Sequence, residues 1–243
     1  MNAALRKAMA ASRLTETDVA AHLGVDPKTV QRWLSGQRPY PRHRWAVADL
    51  LQVEESALWP EEGRPQEDPA LSEHAHRVYA HRWEVPREVW RDLFASARQE
   101  IGILVYSGLF LADDAGMAEI LAERAGAGVG VRIILGDAQS RQVEQRGEAE
   151  GIGEALAARA RNALLLFRPL LGIDGVEIRT HATVLYNSVY LTENRLLVNQ
   201  HVHGFPAAKS PVVEIDRARS PDMAETYVRS FELVWKGAKR VEP

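Results

Sequence analysis

The chain has 243 residues, 46% of them hydrophobic and 26% charged, with a formal net charge of −3; these are the proportions of a globular chain long enough for one large or two modest domains. It has no cysteine, which excludes disulfides and thiolate metal sites. The longest apolar stretch, 163–173, is interrupted by Arg168 and Pro169, and MNAALRKAMAASRL lacks a signal-peptide core, so a cytoplasmic protein with no membrane partner is expected.

Residues 2–11 are predicted as a first helix with Leu5, Ala8 and Met9 facing inward. Glu16 to Ser35, ETDVAAHLGVDPKTVQRWLS, has the pattern of two short helices joined by a tight turn. Thr15 and Asp18 have capping-box spacing at the start of the first. Gly24 supplies a left-handed turn residue, Asp26 a cap and Pro27 a first helical position for the second. Val30, Trp33 and Leu34 share one face of that second helix, and Gly36 ends it. Lys28, Thr29, Gln31 and Arg32 occupy the opposite side, as long donors and a small hydroxyl must in order to meet base edges in a major groove.

Ala20, Gly24, Val25, Val30 and Trp33, in this order and followed by SGQRPYP, resemble the lambda-repressor-like (XRE-type) DNA-binding domains. The resemblance covers the first 60 residues and implies an all-α helix-turn-helix domain that binds double-stranded DNA. Charge agrees with it. Residues 1–48 hold eight Lys and Arg (Arg6, Lys7, Arg13, Lys28, Arg32, Arg38, Arg42, Arg44) against Glu16, Asp18 and Asp26, giving +5 and leaving −8 for the remainder. Gln37 to Arg44 is expected to be a basic loop whose Arg38, Arg42 and Arg44 meet phosphates; a merely solvated loop is the alternative for each of them. Trp45–Leu51 and Glu54–Leu58 are predicted to complete a five-helix core.

PEEGRPQEDP has no apolar periodicity and reads as a linker, so the expected boundaries are a domain over 1–60, a linker over 61–70 and a second domain over 71–243. Ser72 to Ile101 is predicted helical in two pieces. Its His74, His76 and His81 have poor spacing for one metal ion, and no metal or cofactor is expected. Strands are predicted over Ile101–Ser107, Val129–Leu135 and Val176–His181, with helices over Met117–Ala125 and Val143–Leu166, the βαβ pattern of a parallel sheet. Thr183–Leu191 and Arg195–Val202 read as a hairpin, Pro211–Ile215 as a last strand and Met223–Trp235 as a closing helix. The second half is thus α/β.

The ILVYSG and GVGVRIILGD strands, with a histidine on a later strand, resemble the phospholipase D superfamily over residues 86–236. That family's signature is His-x-Lys followed by Asp, then an asparagine on a later strand. Its histidine attacks phosphorus, and two motifs meet in one site within a chain or across a dimer. His181 matches the histidine, but Thr183 stands in the place of lysine and Asn187 in the place of the acid; Asn199 is a loose match to the later asparagine. Without the lysine charge a large part of transition-state stabilisation is gone, so no enzymatic activity is expected. Two readings of HATVLYNSVYLTENRLLVNQHVHG stay open. In one, His181, Asn199 and His201 line a pocket for a small anionic or nucleotide-like ligand; in the other, His181, Asn187 and Asn199 satisfy buried backbone groups while His201 and His203 flank the turn at Gly204-Phe205-Pro206. Together the resemblances imply a sequence-specific transcriptional regulator whose α/β domain forms a homodimer. A phosphodiesterase or nuclease tethered to DNA, and a protein-interaction module, are the alternatives.

Overall fold

A computed structural model describes residues 2–59 and 76–242, and the chain divides into two compact units, 1–72 and 73–243. The expected linker, 61–70, lies outside the described residues, as does His74.

The described part of the first unit is five helices: α1 (Ala3–Ala11), α2 (Glu16–Leu23), α3 (Pro27–Ser35), α4 (Pro41–Leu51) and α5 (Glu55–Leu58). Their ends follow local chemistry. Thr15 Oγ1 accepts from the Asp18 amide at 3.3 Å while Asp18 Oδ2 accepts from the Thr15 amide at 2.8 Å, so two otherwise unpaired donors are satisfied reciprocally. Gly24, at φ 64°, turns the chain out of α2 in the left-handed conformation. Two residues later Asp26 Oδ1 accepts from the Lys28 amide at 2.8 Å, and Pro27 opens α3. Val30, Trp33 and Leu34 are buried from α3 against Leu5, Val19, Ala20, Val47 and Leu51. Burial of three such side chains is worth roughly 6 kcal/mol before the cost of ordering them. Asn2 Nδ2 donates to Leu58 O at 2.8 Å and ties the two ends of the unit together.

One expectation fails in this unit. The basic loop ends at Tyr40, because α4 begins at Pro41, which like Pro27 is a first helical residue whose missing N–H costs nothing.

The second unit is an eight-stranded mixed sheet of β1 (Arg77–Tyr79), β2 (Glu100–Leu104), β3 (Gly130–Gly136), β4 (Val176–His181), β5 (Asn187–Thr192), β6 (Arg195–Gln200), β7 (Val212–Asp216) and β8 (Lys239–Arg240). Their spatial order is β1-β7-β6-β5-β2-β3-β4-β8. β2, β3 and β4 are parallel; β2 and β3 are largely apolar, as strands covered on both faces must be, whereas β4, VEIRTH, alternates apolar and polar residues at its start; the remaining pairings are antiparallel. Helices α6 (Arg87–Ala95), α7 (Leu109–Ala112), α8 (Ala115–Gly126), α9 (Arg141–Ala149), α10 (Ala155–Phe167) and α11 (Pro221–Gly237) complete the unit.

Two predicted elements differ. The described part of the stretch read as two helical pieces contains the edge strand β1, a 3₁₀ turn over Arg82–Glu84 and only then α6. The single long helix over Val143–Leu166 is broken into α9 and α10, because Gly151 and Gly153 adopt φ 69° and 51° and the Gly153 amide returns to Gly147 O at 2.9 Å. A side chain at Gly147 would run into the Gly153 carbonyl, so this corner closes only on glycine.

The register places one set of strand ends together. β2, β3 and β4 finish at Leu104, Gly136 and His181, and their partners put the start of β5, the end of β6, the start of β7 and the end of β1 along the same edge. In parallel sheets this carboxyl edge is where side chains are free to converge.

Candidate nucleic-acid interface and polar cluster

Lys28, Gln31 and Arg32 are exposed on α3, with Ser35 beside them, while Thr29 is half-buried at the margin of that face. The separation follows from helical geometry: Val30, Trp33 and Leu34 occupy the inward stripe, so residues a third of a turn away must face water. Lys28 and Arg32 form no ion pair among the described residues, and the Asp26 carboxylate is engaged with a backbone amide. Their charges are available to an external partner. A nine-residue helix is about 14 Å long, close to the roughly 12 Å width of a major groove.

Of the three arginines expected to meet phosphates, Arg38 and Arg42 are exposed, and Arg42 Nε lies 3.3 Å from His43 Nε2. Arg44 is not on the surface. Its side chain is 0% exposed, with Nε 2.7 Å from Glu55 Oε1, and the same carboxylate accepts from Trp45 Nε1 at 2.9 Å. Starting α4 at Pro41 puts Arg44 on the stripe with Val47, Ala48 and Leu51, so it points into the core and staples α4 to α5. It is thus removed from the DNA-contact set, and the exposed cationic excess of residues 1–48 falls by one.

At the carboxyl edge of the sheet, Tyr106 stands between two histidines, with ring centroids 5.7 Å from His181 and 5.6 Å from His201. The Tyr106 hydroxyl accepts from the Leu185 amide at 2.9 Å, and burial pushes its pKa up. His181 is 3% exposed; its Nδ1 accepts from the Thr183 amide at 3.1 Å, which puts the ring proton on Nε2, 3.2 Å from Val105 O. Burial lowers its pKa, which keeps the ring neutral. His201 lies 3.1 Å from Leu185 O through Nδ1 and 2.9 Å from Ser188 Oγ through Nε2. Burial, followed by the nearby Arg146 charge, pushes its pKa down to about 4. Asn199 is 0% exposed, and its Nδ2 reaches Pro211 O at 3.0 Å and Ser210 O at 3.3 Å, closing the β6–β7 connection. Its Oδ1 is buried with no hydrogen-bond partner.

The three residues read as a possible pocket therefore share one edge, and each has polar atoms committed to backbone groups. Ser188, not Asn187, faces His201 from β5, since neighbouring strand residues point to opposite faces. The other histidines are apart from this cluster: His76 meets Ser220 Oγ at 3.1 Å and His81 Nδ1 meets Lys209 O at 2.8 Å. Among the described residues no group of three His, Asp or Glu could hold a metal ion, and no helix is long and apolar enough to cross a membrane.

Sequence reasoning missed Tyr106, Ser188, Arg82 and Arg146. Tyr106 had a faint signal, a polar aromatic directly after a buried strand. Arg82, in HRWEVP, had none. Its guanidinium carbon lies 3.8 Å above the centre of the Phe110 ring, beside the Tyr190 hydroxyl.

No family model matches the chain, and no curated protein matches it. Among solved structures, TrmBL2, an archaeal chromatin protein with a novel mode of DNA binding, is similar at 15% identity over 88% of this chain and 66% of its own, with a TM-score of 0.44. Nuc from Salmonella typhimurium, a phospholipase D family member, is similar at 16% identity over 70% of this chain and 99% of its own, with a TM-score of 0.42. Phosphatidylserine synthase from Haemophilus influenzae Rd KW20 is similar at 13% identity over 69% of this chain and 39% of its own, with a TM-score of 0.44. This chain thus spans just under two thirds of the first of these proteins and well under half of the third.

Proposed function

We propose that the protein is a sequence-specific DNA-binding transcriptional regulator of the XRE type, acting as a homodimer. The observation that carries this reading is the exposed face of α3: Lys28, Gln31 and Arg32 stand free, on a helix whose opposite side is locked into the core by Val30, Trp33 and Leu34. Rigid support of long donors is what base readout needs. Each well-formed base contact is worth about 1–3 kcal/mol, so one module with three such side chains falls at the low end of what genomic discrimination requires. Two copies on a palindromic site supply the rest, and the second unit is the natural place for the two-fold contact.

Selection from a random-sequence duplex pool, followed by footprinting, tests this. A palindromic consensus is expected, with half-sites one helical turn or a multiple apart. Recovery of no consensus, with weak binding that vanishes in modest salt, would refute sequence-specific reading.

The second unit is proposed to lack phosphodiesterase activity. Both His181 nitrogens are engaged with backbone groups, and Thr183 brings no charge to hold phosphate oxygens. Incubation with a generic phosphodiester and search for a phosphohistidine on His181 by mass spectrometry is the check; an adduct that disappears in His181→Ala would overturn the proposal.

A further inference from the structure

Arg82 is an unusual arginine. It opens the 3₁₀ turn after β1, and its amide donates to Ser210 O at 3.0 Å. The guanidinium is covered on one face by Phe110, with its carbon 3.8 Å from the ring centre, and the Tyr190 hydroxyl lies at its edge. Nε is buried with no hydrogen-bond partner, although part of the side chain remains in contact with solvent. Among the described residues no carboxylate lies within ion-pair distance of it.

The neighbourhood does not compensate the charge. Glu150 acts on Arg82 from a distance, but it is bound to Arg146, whose Nε lies 2.7 Å from Glu150 Oε1. Arg159 repels Arg82 from α10. Glu150 is thus already paired, so Arg82 carries a positive charge with no counter-ion of its own. His201 adds none, since burial and the Arg146 and Arg82 charges hold it neutral. Near the same end of the sheet, Asn199 Oδ1 is a buried acceptor with nothing to accept from. Its amide group shares Ser210 O with the Arg82 amide, so the two incompletely paired side chains stem from one corner.

A buried cation without a counter-ion is costly, and buried polar atoms are ordinarily paired. A guanidinium stacked on an aromatic ring, with its Nε unpaired, presents the planar donor edge that the two oxygens of an oxyanion match. We infer that Arg82, with the Arg159 charge near it, binds a small oxyanion, the carboxylate or phosphate group of a diffusible ligand. The site is separate from the His181 position, where both ring nitrogens are already satisfied by the backbone. It rests on the reading of the second unit as a regulatory domain, but its test does not involve DNA.

The test is isothermal titration of the full chain with inorganic phosphate and, separately, with citrate, at ionic strength matched with chloride. Saturable binding of one titrant with a Kd below about 1 mM is expected. A response to phosphate alone assigns a phosphate ligand; a response to citrate alone assigns a carboxylate. Arg82→Gln should weaken binding by about 50-fold or more, because it removes the charged fork itself. The exposed Arg159→Gln, which leaves the fold intact, should weaken it by about 3- to 10-fold. No saturable heat from either titrant up to about 10 mM overturns the inference. So does undiminished binding by Arg82→Gln with a native circular dichroism spectrum; if that variant does not fold, undiminished binding by Arg159→Gln decides in the same way. Loss of DNA selection with oxyanion binding retained would instead count against the DNA-reading proposal alone.

Discussion

Substitution of Arg44 by alanine separates two roles that the same residue could play. On a DNA-facing loop it would act on phosphate binding and leave stability almost unchanged. The structure puts its guanidinium at 0% exposure, 2.7 Å from a Glu55 carboxylate that also accepts from Trp45 Nε1 at 2.9 Å. Removing one partner of a buried pair leaves the other charge without that compensation, at a cost of about 3–5 kcal/mol. A described helical unit spanning 2–59 has a total stability of roughly 3–9 kcal/mol at ordinary values per residue, so the loss is a large share of it. Arg44→Ala is therefore expected to unfold this unit at a urea concentration lower by about 1 M or more, read from its tryptophans and helical circular dichroism. Arg44→Met with Glu55→Leu, which removes both charges and keeps the volume apolar, should recover most of the loss. DNA affinity should fall only as the folded fraction falls. Arg38→Ala should behave oppositely: stability within about 0.5 kcal/mol, and a salt slope of DNA binding shallower by about one unit. Unchanged stability in Arg44→Ala, together with a shallower salt slope, would refute the core assignment.

Arg32→Ala and Gln31→Ala should each cost about 1–3 kcal/mol in affinity for the selected site and relax base preference at particular positions, which a repeated selection would reveal. Gly24→Ala should destabilise the first unit by about 1–2 kcal/mol through backbone strain alone, because φ is 64° and no atom lies within 4 Å of the added carbon; thermal unfolding measures it. His201 has a folded pKa of about 4 against 6.5 unfolded, so the folded state binds fewer protons between these values. Its contribution is fully present above about pH 6.5 and is lost as pH falls toward 4, an effect of up to about 3 kcal/mol on the second unit. His181, also lowered by burial, acts in the same direction. Denaturant titrations from pH 7 to 4 should show stability falling with pH, and less steeply in His201→Gln; an equal slope in that variant would contradict the assignment.

Local chemistry carried much of the architecture. The Thr15–Asp18 capping box, the left-handed Gly24, the Asp26–Pro27 start of α3 and the division of α3 into a Val30-Trp33-Leu34 face and a Lys28-Gln31-Arg32 face depend on residues a turn apart, so the sequence alone contains them. The same holds for the buried strands β2 and β3, whose apolar runs need no knowledge of their neighbours. Arg44 shows how little separates success from error: its spacing to Val47, Ala48 and Leu51 was legible, but only once the helix is started at Pro41. What sequence could not decide is long-range. β1 is three residues long with no apolar alternation, and it exists because β7 offers it an edge. Arg82, Tyr106, Ser188 and His201 come from four separate stretches of chain, and they meet because strand order and register bring the ends of β1, β2 and β6 and the start of β5 to one edge. Burial there also fixed their charge states, since the lowered pKa of His201 comes from desolvation and from arginines distant in sequence.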